Sequence, residues 1–210
     1  MSKVIVFGAT GYTGNNIARE AAARSHEVVG VARNIEGKHI EGVQLVQADI
    51  SDLDNFAHLV RSADVVVLAV HHAHPKIAEM IPAIATAIRH AGARLAVVGG
   101  AGSLFVSEGG PRVFDTPEFP DAYKAEAHSA FETLQVLQKE HDLDWFYISP
   151  AGHYGGFNPG TRTGDYRLGK DSLVIDEHGK SYISGEDYAI AFIDEIDMKR
   201  HKNQRFTVGY

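Results

Sequence analysis

The sequence predicts an α/β protein built on a doubly wound parallel β-sheet, and three observations lead to this fold class. Apolar runs of strand length alternate with helical stretches from residue 3 to residue 148. These runs are almost continuously hydrophobic, as parallel strands buried on both faces must be. A glycine-rich turn joins the first run to the first helix. Right-handed βαβ crossovers then place helices on both faces of one sheet.

The strands and helices of the first three quarters follow in alternation. The predicted strands are rich in β-branched residues. They cover Val4–Phe7, Val28–Val31, Val43–Val46, Val65–Val70, Leu95–Val98 and Asp144–Ile148. The predicted helices between them are Ile17–Arg24, a short helix capped by Ser51-Asp52 and ending near Arg61, His74–Gly92, and Asp121–Glu140.

The segment His74–Gly92 carries the strongest helical pattern. Its isoleucines recur at spacings of four, three and four, which forms one apolar stripe; they are Ile77, Ile81, Ile84 and Ile88. Pro75 suits a first helical turn, and Gly92 suits the position just after a helix end. On the later helix, Ala127, Ala130, Leu134 and Leu137 fall on one face in the same way.

The last part of the chain has a different pattern. Gly155–Gly169 predicts a loop over the sheet edge, and Ser172–Asp176 with Lys180–Ile183 predicts a β-hairpin around Gly179. A helix at Gly185–Ile196 and a final strand at Arg205–Val208 follow. Without repeats or a linker, residues 1–210 are expected to form a single domain, whose last 60 residues cap the substrate side.

Composition narrows the class of protein. Lys and Arg total 20 against 27 Asp and Glu, a balance unlike that of a dedicated nucleic-acid binder. The absence of cysteine excludes disulfides and thiolate chemistry. The first apolar stretch is too short for a signal-peptide core, and no run reaches the roughly 18 residues of a membrane span. We therefore expect a cytoplasmic monomer or homodimer that binds neither membranes nor nucleic acids.

Three of the twelve histidines lie close together, at His71, His72 and His74. Histidine is a frequent metal ligand. The HHAH stretch nevertheless has no Cys, Asp or Glu partner at a helical ligand spacing. We interpret it as a strand-end or loop cluster with solvent-facing rings, and predict no metal site.

The glycines of FGATGYTGN are the most informative motif. Gly8, Gly11 and Gly14 lie three residues apart, directly after a buried strand and before a helix. One interpretation is a tight turn with no ligand. In a Rossmann fold, however, such glycines permit the turn, the approach of a pyrophosphate and close helix packing. The spacing is one residue wider than the usual dinucleotide fingerprint in its first interval. We predict a cofactor loop formed by Gly8, Thr10, Gly11, Tyr12, Thr13 and Gly14.

The end of the second strand indicates which dinucleotide is bound. A free ribose 2′-hydroxyl is usually met there by Asp or Glu, whereas this strand ends in Arg33. A guanidinium suits a 2′-phosphate, so NADP is favoured and NAD stays open, as does Arg33 as a merely solvated cation. Asp49 and Ile50, just past the third strand, are placed to contact the adenine.

Ligands in such sheets bind beyond the carboxyl ends of the strands. The further strand ends carry Ala69, Val70 and His71, then Gly99 and Gly100, which we expect to contact the cofactor. Ser103, His153 and Tyr154 are the candidate catalytic residues. Each also has an alternative role as a loop-packing or capping residue.

Carbonyl reduction by short-chain dehydrogenases uses the tyrosine of a Tyr-x-x-x-Lys pair as general acid. Here Tyr123 is followed four residues later by Ala127, and Lys124 points about 100° away from it. The pair is absent. An acceptor that takes hydride at a flavin nitrogen has much less need of a fixed acid.

Several stretches together resemble the NADH-flavin reductase group of atypical short-chain dehydrogenase/reductases, which is also similar to biliverdin-IX-beta/flavin reductase. They are GATGYTG at residues 8–14, Asp49-Ile50, GGAGSLFV at 99–106, ISPAG at 148–152, TRTGDYRLG at 161–169 and ISGEDYAIAFIDEI at 183–196. The resemblance covers essentially the whole chain. It implies a cofactor on the glycine loop and Arg33, and a substrate pocket around Ser103, Phe105 and residues 150–154.

The resulting hypothesis is an NADP(H)-dependent reductase that passes hydride to a planar acceptor such as a flavin or quinone. Phe105, Tyr154 or Phe157 would form the walls around that acceptor. The alternative is a redox-sensing regulator that binds NADP without turnover. A sugar-nucleotide epimerase is disfavoured, because the region after Pro150 is small for a nucleotide-sugar subdomain.

Overall fold

The structure is a computed structural model that describes residues 1–210, and its centre is one eight-stranded sheet. The strands are β1 (Lys3–Phe7), β2 (Glu27–Ala32), β3 (Val43–Gln47), β4 (Val65–Leu68), β5 (Arg94–Val98), β6 (Trp145–Ser149), β7 (Arg167–Gly169) and β8 (Gln204–Gly209). Their spatial order is β3-β2-β1-β4-β5-β6-β8-β7, and only the β7–β8 pair is antiparallel. The predicted fold class is confirmed.

Helices cover both faces of the sheet. They are α1 (Tyr12–Ala23), α2 (Leu53–Val60), α3 (Ile77–Ala91), α4 (Asp121–Leu137) and α5 (Gly185–Met198), with a short 3-10 helix at Val113–Asp115. Helices α1 and α5 pack together on one face, while α2, α3 and α4 pack in a row on the other. None of the helices is long and apolar enough to cross a membrane.

Strand β1 shows why its sequence is uniformly apolar. Val4 and Val6 belong to the core beneath α1 and α5, whereas Ile5 and Phe7 belong to the core beneath α2 and α3. All four side chains are at most 1% exposed. Because side chains alternate between the two faces of a strand, a sheet covered on both sides requires an apolar residue at every position.

Helix α3 confirms the isoleucine stripe and corrects the start of the helix. Ile77, Ile81, Ile84 and Ile88 are fully buried, and Gly92 ends the helix in the left-handed conformation with φ of 66°. The helix begins at Ile77 rather than His74, so Pro75 precedes it instead of lying in its first turn. The predicted Asp52 cap of α2 is confirmed, because its carboxylate accepts the N–H of Asn55 at 3.0 Å.

The predicted hairpin at Ser172–Asp176 and Lys180–Ile183 is wrong. A turn does form at Gly179, with φ of 74°, but its arms do not form a ladder. The backbone around residue 172 pairs elsewhere: Leu173 N–H donates to the carbonyl of Phe105, and Phe105 N–H donates to that of Asp171, at 2.9 and 2.8 Å. Pairing with a distant loop has replaced pairing within the hairpin.

A strand also occurs where the sequence predicts only a loop. Within Gly155–Gly169, β7 pairs antiparallel with β8, with Arg167 opposite Gly209 and Gly169 opposite Thr207. The strand has three residues and exposes Arg167 and Leu168. It therefore lacks the apolar pattern of a buried strand. Hydrogen bonding to β8 at the edge of the sheet stabilises it instead.

Candidate functional site

A cleft of about 590 Å³ lies along the carboxyl edge of the sheet. Most of the lining residues lie at or just past the ends of strands β1 to β6, and the rest include residues of α4. It straddles β1 and β4, where the strand order reverses, since β2 and β3 lie to one side and β5 and β6 to the other. Such a switch point is where open α/β sheets bind their ligands.

The cleft brings together most of the residues that the sequence singles out. Those that line it are Gly8, Thr10, Gly11, Tyr12, Thr13, Arg33, Asp49, Ile50, Ala69, Val70, His71, Gly99, Gly100 and Tyr154. Gly14, Ser103 and His153 do not line it. Of the proposed aromatic walls, Tyr154 and Phe157 line the cleft and Phe105 does not.

Two of the loop glycines are required by the close approach of backbone. Gly8 has φ of 85°, and a Cβ there would lie 2.1 Å from the carbonyl oxygen of Ala69. A Cβ on Gly14 would lie 2.2 Å from the carbonyl oxygen of Gly8. Gly11 differs, because its Cβ would meet only the Gly8 oxygen, at 3.3 Å, and the residue is exposed toward the cleft. Packing explains Gly8 and Gly14 but not Gly11.

The N-terminus of α1 opens onto the same loop. Gly11 is the N-cap and has no side chain to accept a helix N–H. The N–H groups of Tyr12, Thr13 and Gly14 have no acceptor in the protein, and the first turn carries no acidic residue. Free N–H groups at the positive end of a helix dipole attract anions such as phosphate. The loop and the helix end together match the chemistry of a diphosphate.

Arg33 and Asp49 both line the β2–β3 end of the cleft. The N–H and hydroxyl of Ser51 donate to Asp49 at 2.9 and 2.7 Å, and the nearby charge of Arg33 adds to their effect. These interactions hold the pKa of Asp49 below its usual value, so the carboxylate is ionised. Arg33 itself is exposed, and its charge acts on Asp49 without a hydrogen bond or a salt bridge between them.

Tyr147 supports the floor of the cleft at the end of β5. Its hydroxyl accepts the N–H of Gly100 at 3.2 Å and donates to the carbonyl of Ala130 at 3.0 Å. Burial raises the pKa of Tyr147 well above its usual value, so this hydroxyl keeps its proton. Gly99 lies so close to the ring that a Cβ would be 1.9 Å from Cε1. The Gly99-Gly100 backbone is therefore held rigidly against the sheet.

Tyr154 lines the cleft and is hydrogen-bonded to the start of α1. Its hydroxyl donates to Thr13 Oγ1 at 3.0 Å, across a separation of 141 residues. Burial raises the pKa of Tyr154 well above its usual value, which keeps it a hydrogen-bond donor. Its ring packs on Tyr12 and Tyr188, with centroid distances of 5.7 and 4.8 Å. Tyr154 thereby orients Thr13 at the start of α1.

The other two candidate catalytic residues are engaged outside the cleft. Ser103 is 2% exposed, and its hydroxyl accepts from Arg205 at 2.9 Å while its carbonyl accepts from Arg112. Arg112 in turn lies over the rings of Phe105 and Phe131. His153 is exposed, and its backbone N–H donates to Ser181. Ser103 thus anchors the loop after β5 rather than facing the cleft.

His72 is buried, whereas its neighbours His71 and His74 are exposed. Its Nε2 lies 2.9 Å from the carbonyl of Val98, and its Nδ1 lies 3.0 Å from Thr133 Oγ1. A carbonyl only accepts, so Nε2 carries the proton. The Thr133 hydroxyl lies 3.0 Å from both Nδ1 and the carbonyl of Ser129, so these two acceptors compete for its single proton. Burial lowers the pKa of His72, which keeps the ring neutral. The neutral ring joins β5 to α4 at the wall of the cleft.

Helix α4 contributes residues that the sequence did not single out as a site. Tyr123, Glu126, Ala127 and Ala130 all line the cleft. The carboxylate of Glu126 accepts the N–H groups of His72 and Ala73 at 2.7 and 3.1 Å. Spacings of three, one and three place these residues on one helix face, a signal that was readable in the sequence. The N–H groups that bind Glu126 lie 53 and 54 positions away in the sequence, and this pairing could not be predicted from local pattern.

The fold and the cleft together define a Rossmann-type dinucleotide-binding protein. A family model described as NAD(P)H-binding matches residues 8–198. The chain belongs to this NAD(P)H-binding oxidoreductase family, as the resemblance to atypical short-chain dehydrogenase/reductases implies.

Three relatives show how far the similarity extends. The uncharacterised protein YwnB of Bacillus subtilis is 40% identical over 98% of this chain and 97% of its own. A structure from Bacteroides thetaiotaomicron, proposed to be an epimerase, is 38% identical with a TM-score of 0.89 over 99% and 96% of the two chains. SP1627 of Streptococcus pneumoniae, proposed to be an NADH-flavin reductase, is 29% identical with a TM-score of 0.80 over 100% and 99%.

Proposed function

We propose that the protein is an NADP(H)-preferring reductase that passes hydride to a planar acceptor such as a flavin or a quinone. The observation that supports this most strongly is the continuity of the cleft. One half holds the glycine loop, the free N–H groups of α1 and Arg33. The other half, over β4 to β6, is lined by aromatic side chains including Tyr123 and Phe157. A dinucleotide and an aromatic acceptor can therefore lie side by side.

The cofactor half fits the parts of NADP(H) in order. Gly8 and Gly14 let the loop and α1 close tightly, and Gly11 leaves room for the diphosphate beside the helix N–H groups. Arg33 is exposed in the cleft and available to pair with a 2′-phosphate, with Asp49 as its acidic neighbour. Asp49 and Ile50 line the cleft together with Arg33, and we expect them to contact the adenine. Arg33 therefore favours NADP over NAD.

In this proposal the chain's part in the reaction is to position the cofactor and the acceptor. A bound NAD(P)H supplies a hydride, and the acceptor takes that hydride together with one proton from water. Gly99 and Gly100, held by Tyr147, form a rigid floor, and Tyr154 keeps Thr13 oriented. Since Ala127 stands where a catalytic lysine would follow Tyr123, the site suits an acceptor that needs no fixed acid. Ser103 and His153 have no step in this proposal.

The second candidate function is a redox sensor that binds NADP without turnover. The missing Tyr–Lys pair on α4 favours it as much as it favours an acid-independent reductase. A cytoplasmic location and a monomeric or homodimeric state likewise stay predictions.

Turnover separates the two functions. Purified protein is mixed with NADPH and with riboflavin, FMN or a quinone, and the nicotinamide absorbance is followed against the same mixtures without protein. The proposal expects catalysed loss of absorbance with at least one acceptor. Tight NADPH binding without consumption across the panel would establish the sensor instead.

A further inference from the structure

The charges that line the cleft are divided between its two halves. Arg33 is the only lysine or arginine among the lining residues, and it lies past β2 in the cofactor half. Asp49 and Glu126 are the only acidic lining residues. Asp49 lies beside Arg33, whereas Glu126 stands on α4 in the acceptor half. The acceptor half therefore carries one carboxylate and no permanent cation.

The carboxylate of Glu126 is fixed in position. It accepts two backbone N–H groups, from His72 and Ala73, and its side chain is 36% exposed. Of the charged side chains nearby, only His71 approaches it, at 3.8 Å. The lysines of the adjoining segments, Lys76 and Lys124, pair with Glu79 and Asp121. No lysine or arginine forms an ion pair with Glu126, and none lines this half of the cleft.

The remaining walls of the acceptor half are aromatic and open. Phe119 and Tyr123 line it from the α4 side, and Phe157 lines it from the loop after β6. Tyr123 and Phe157 are 56% and 72% exposed, which leaves their faces free. Planar rings stack on such side chains, while an anionic substituent would meet Glu126 instead of a cation.

We propose that the acceptor is an uncharged planar ring compound, and that Glu126 is the specificity-determining residue that disfavours phosphorylated or otherwise anionic acceptors. This inference rests on the proposed function of the same cleft. The chemical class includes unphosphorylated flavin and neutral quinones, which share an aromatic ring and the absence of a negative group.

Riboflavin and FMN form a matched pair for the test, since they share the reacting ring and differ in a phosphate that carries close to two negative charges. At saturating NADPH, low salt and pH near 8, we expect kcat/KM for riboflavin to exceed that for FMN by about fivefold or more. Raising the salt from 0.01 to 0.15 M shortens the screening length from about 30 to about 8 Å. The ratio should then fall.

Glu126→Gln should also lower the riboflavin-to-FMN ratio, by raising kcat/KM for FMN. Glu132→Gln is the control, because Glu132 lies exposed on the same helix outside the cleft. Equal rates with both flavins in the wild-type protein, or a ratio unchanged by salt and by Glu126→Gln, would overturn the proposal.

Quenching of flavin fluorescence gives a readout that does not need turnover. Riboflavin should bind the NADP-loaded protein more tightly than FMN does, with the same dependence on salt. If riboflavin binds preferentially but no acceptor consumes NADPH, the reductase function fails while the charge selectivity stands. If neither riboflavin nor a neutral quinone binds, the inference fails as well.

Discussion

The glycine loop separates a residue that the fold requires from one that a ligand requires. A Cβ on Gly14 would lie 2.2 Å from the carbonyl oxygen and 2.7 Å from the carbonyl carbon of Gly8. Backbone atoms cannot rotate away, so this overlap falls near the upper end of the cost of overpacking, about 3 kcal/mol. Replacing a helical glycine by alanine also stabilises the helix by about 1 kcal/mol, which offsets part of this cost. We expect Gly14→Ala to lower the free energy of unfolding by about 2 kcal/mol.

Gly11→Ala should behave in the opposite way. Gly11 has φ of −79° and ψ of 167°, which any L-residue adopts, and the nearest atom to an added Cβ is 3.3 Å away. We expect the free energy of unfolding to change by no more than about 0.5 kcal/mol. The added methyl occupies space beside the helix N–H groups, so the Kd for NADPH should rise about tenfold or more, or about 1.4 kcal/mol.

Urea unfolding measures the free energy of unfolding, and isothermal titration calorimetry measures the Kd for NADPH. Gly14→Ala is the matched control, since it makes the same chemical change three residues away. The reasoning is refuted if Gly11→Ala is as destabilising as Gly14→Ala, or if it binds NADPH with wild-type affinity.

Three further predictions concern single side chains. Arg33→Ala should weaken NADPH binding about tenfold or more while NADH binding changes little; equal losses in calorimetry would remove the 2′-phosphate assignment. Tyr154→Phe, which deletes the hydrogen bond to Thr13, should raise the Kd for NADPH about three- to tenfold at a loss of about 1 kcal/mol in stability, and an unchanged Kd would show that Thr13 needs no such support. Burial opposes ionisation of Asp187, but hydrogen bonds from Tyr210, Thr163 and Gly164 outweigh it and hold its pKa below the usual value. The stabilisation that ionised Asp187 gives the folded protein is therefore present above the ordinary aspartate pKa of about 4 and is lost as the pH falls below that value. Asp187→Asn should destabilise the protein by about 2 kcal/mol at pH 7, and urea unfolding should show the difference shrinking toward pH 3; a constant difference would contradict the assignment.

The cofactor half of the cleft was largely predictable from local sequence. Gly8, Gly14 and Arg33 occupy positions set by the end of a strand and the start of a helix, and strands of a parallel sheet place those ends on one edge. The apolar runs themselves identify the strands, because burial on both faces leaves no polar alternative.

The acceptor half was not predictable in the same way. Ser103 follows β5 in the sequence just as a catalytic residue would. Its hydroxyl, however, accepts a hydrogen bond from Arg205, 102 positions later, and does not line the cleft. Glu126 is held in position by N–H groups on the loop after β4. Both outcomes depend on contacts between distant segments, which local pattern does not encode.

The same distinction holds for the whole chain. Its sequence alone determined the parallel sheet, the two helical layers and the glycine turn before α1, because backbone sterics and two-sided burial act on neighbouring residues. Only the tertiary structure decided that the segment at Leu173 pairs with Phe105 instead of forming a hairpin, and that the Tyr154 hydroxyl donates to Thr13. A hydrogen-bonding group takes whichever partner the fold brings within reach, and that choice is made between segments far apart in the chain.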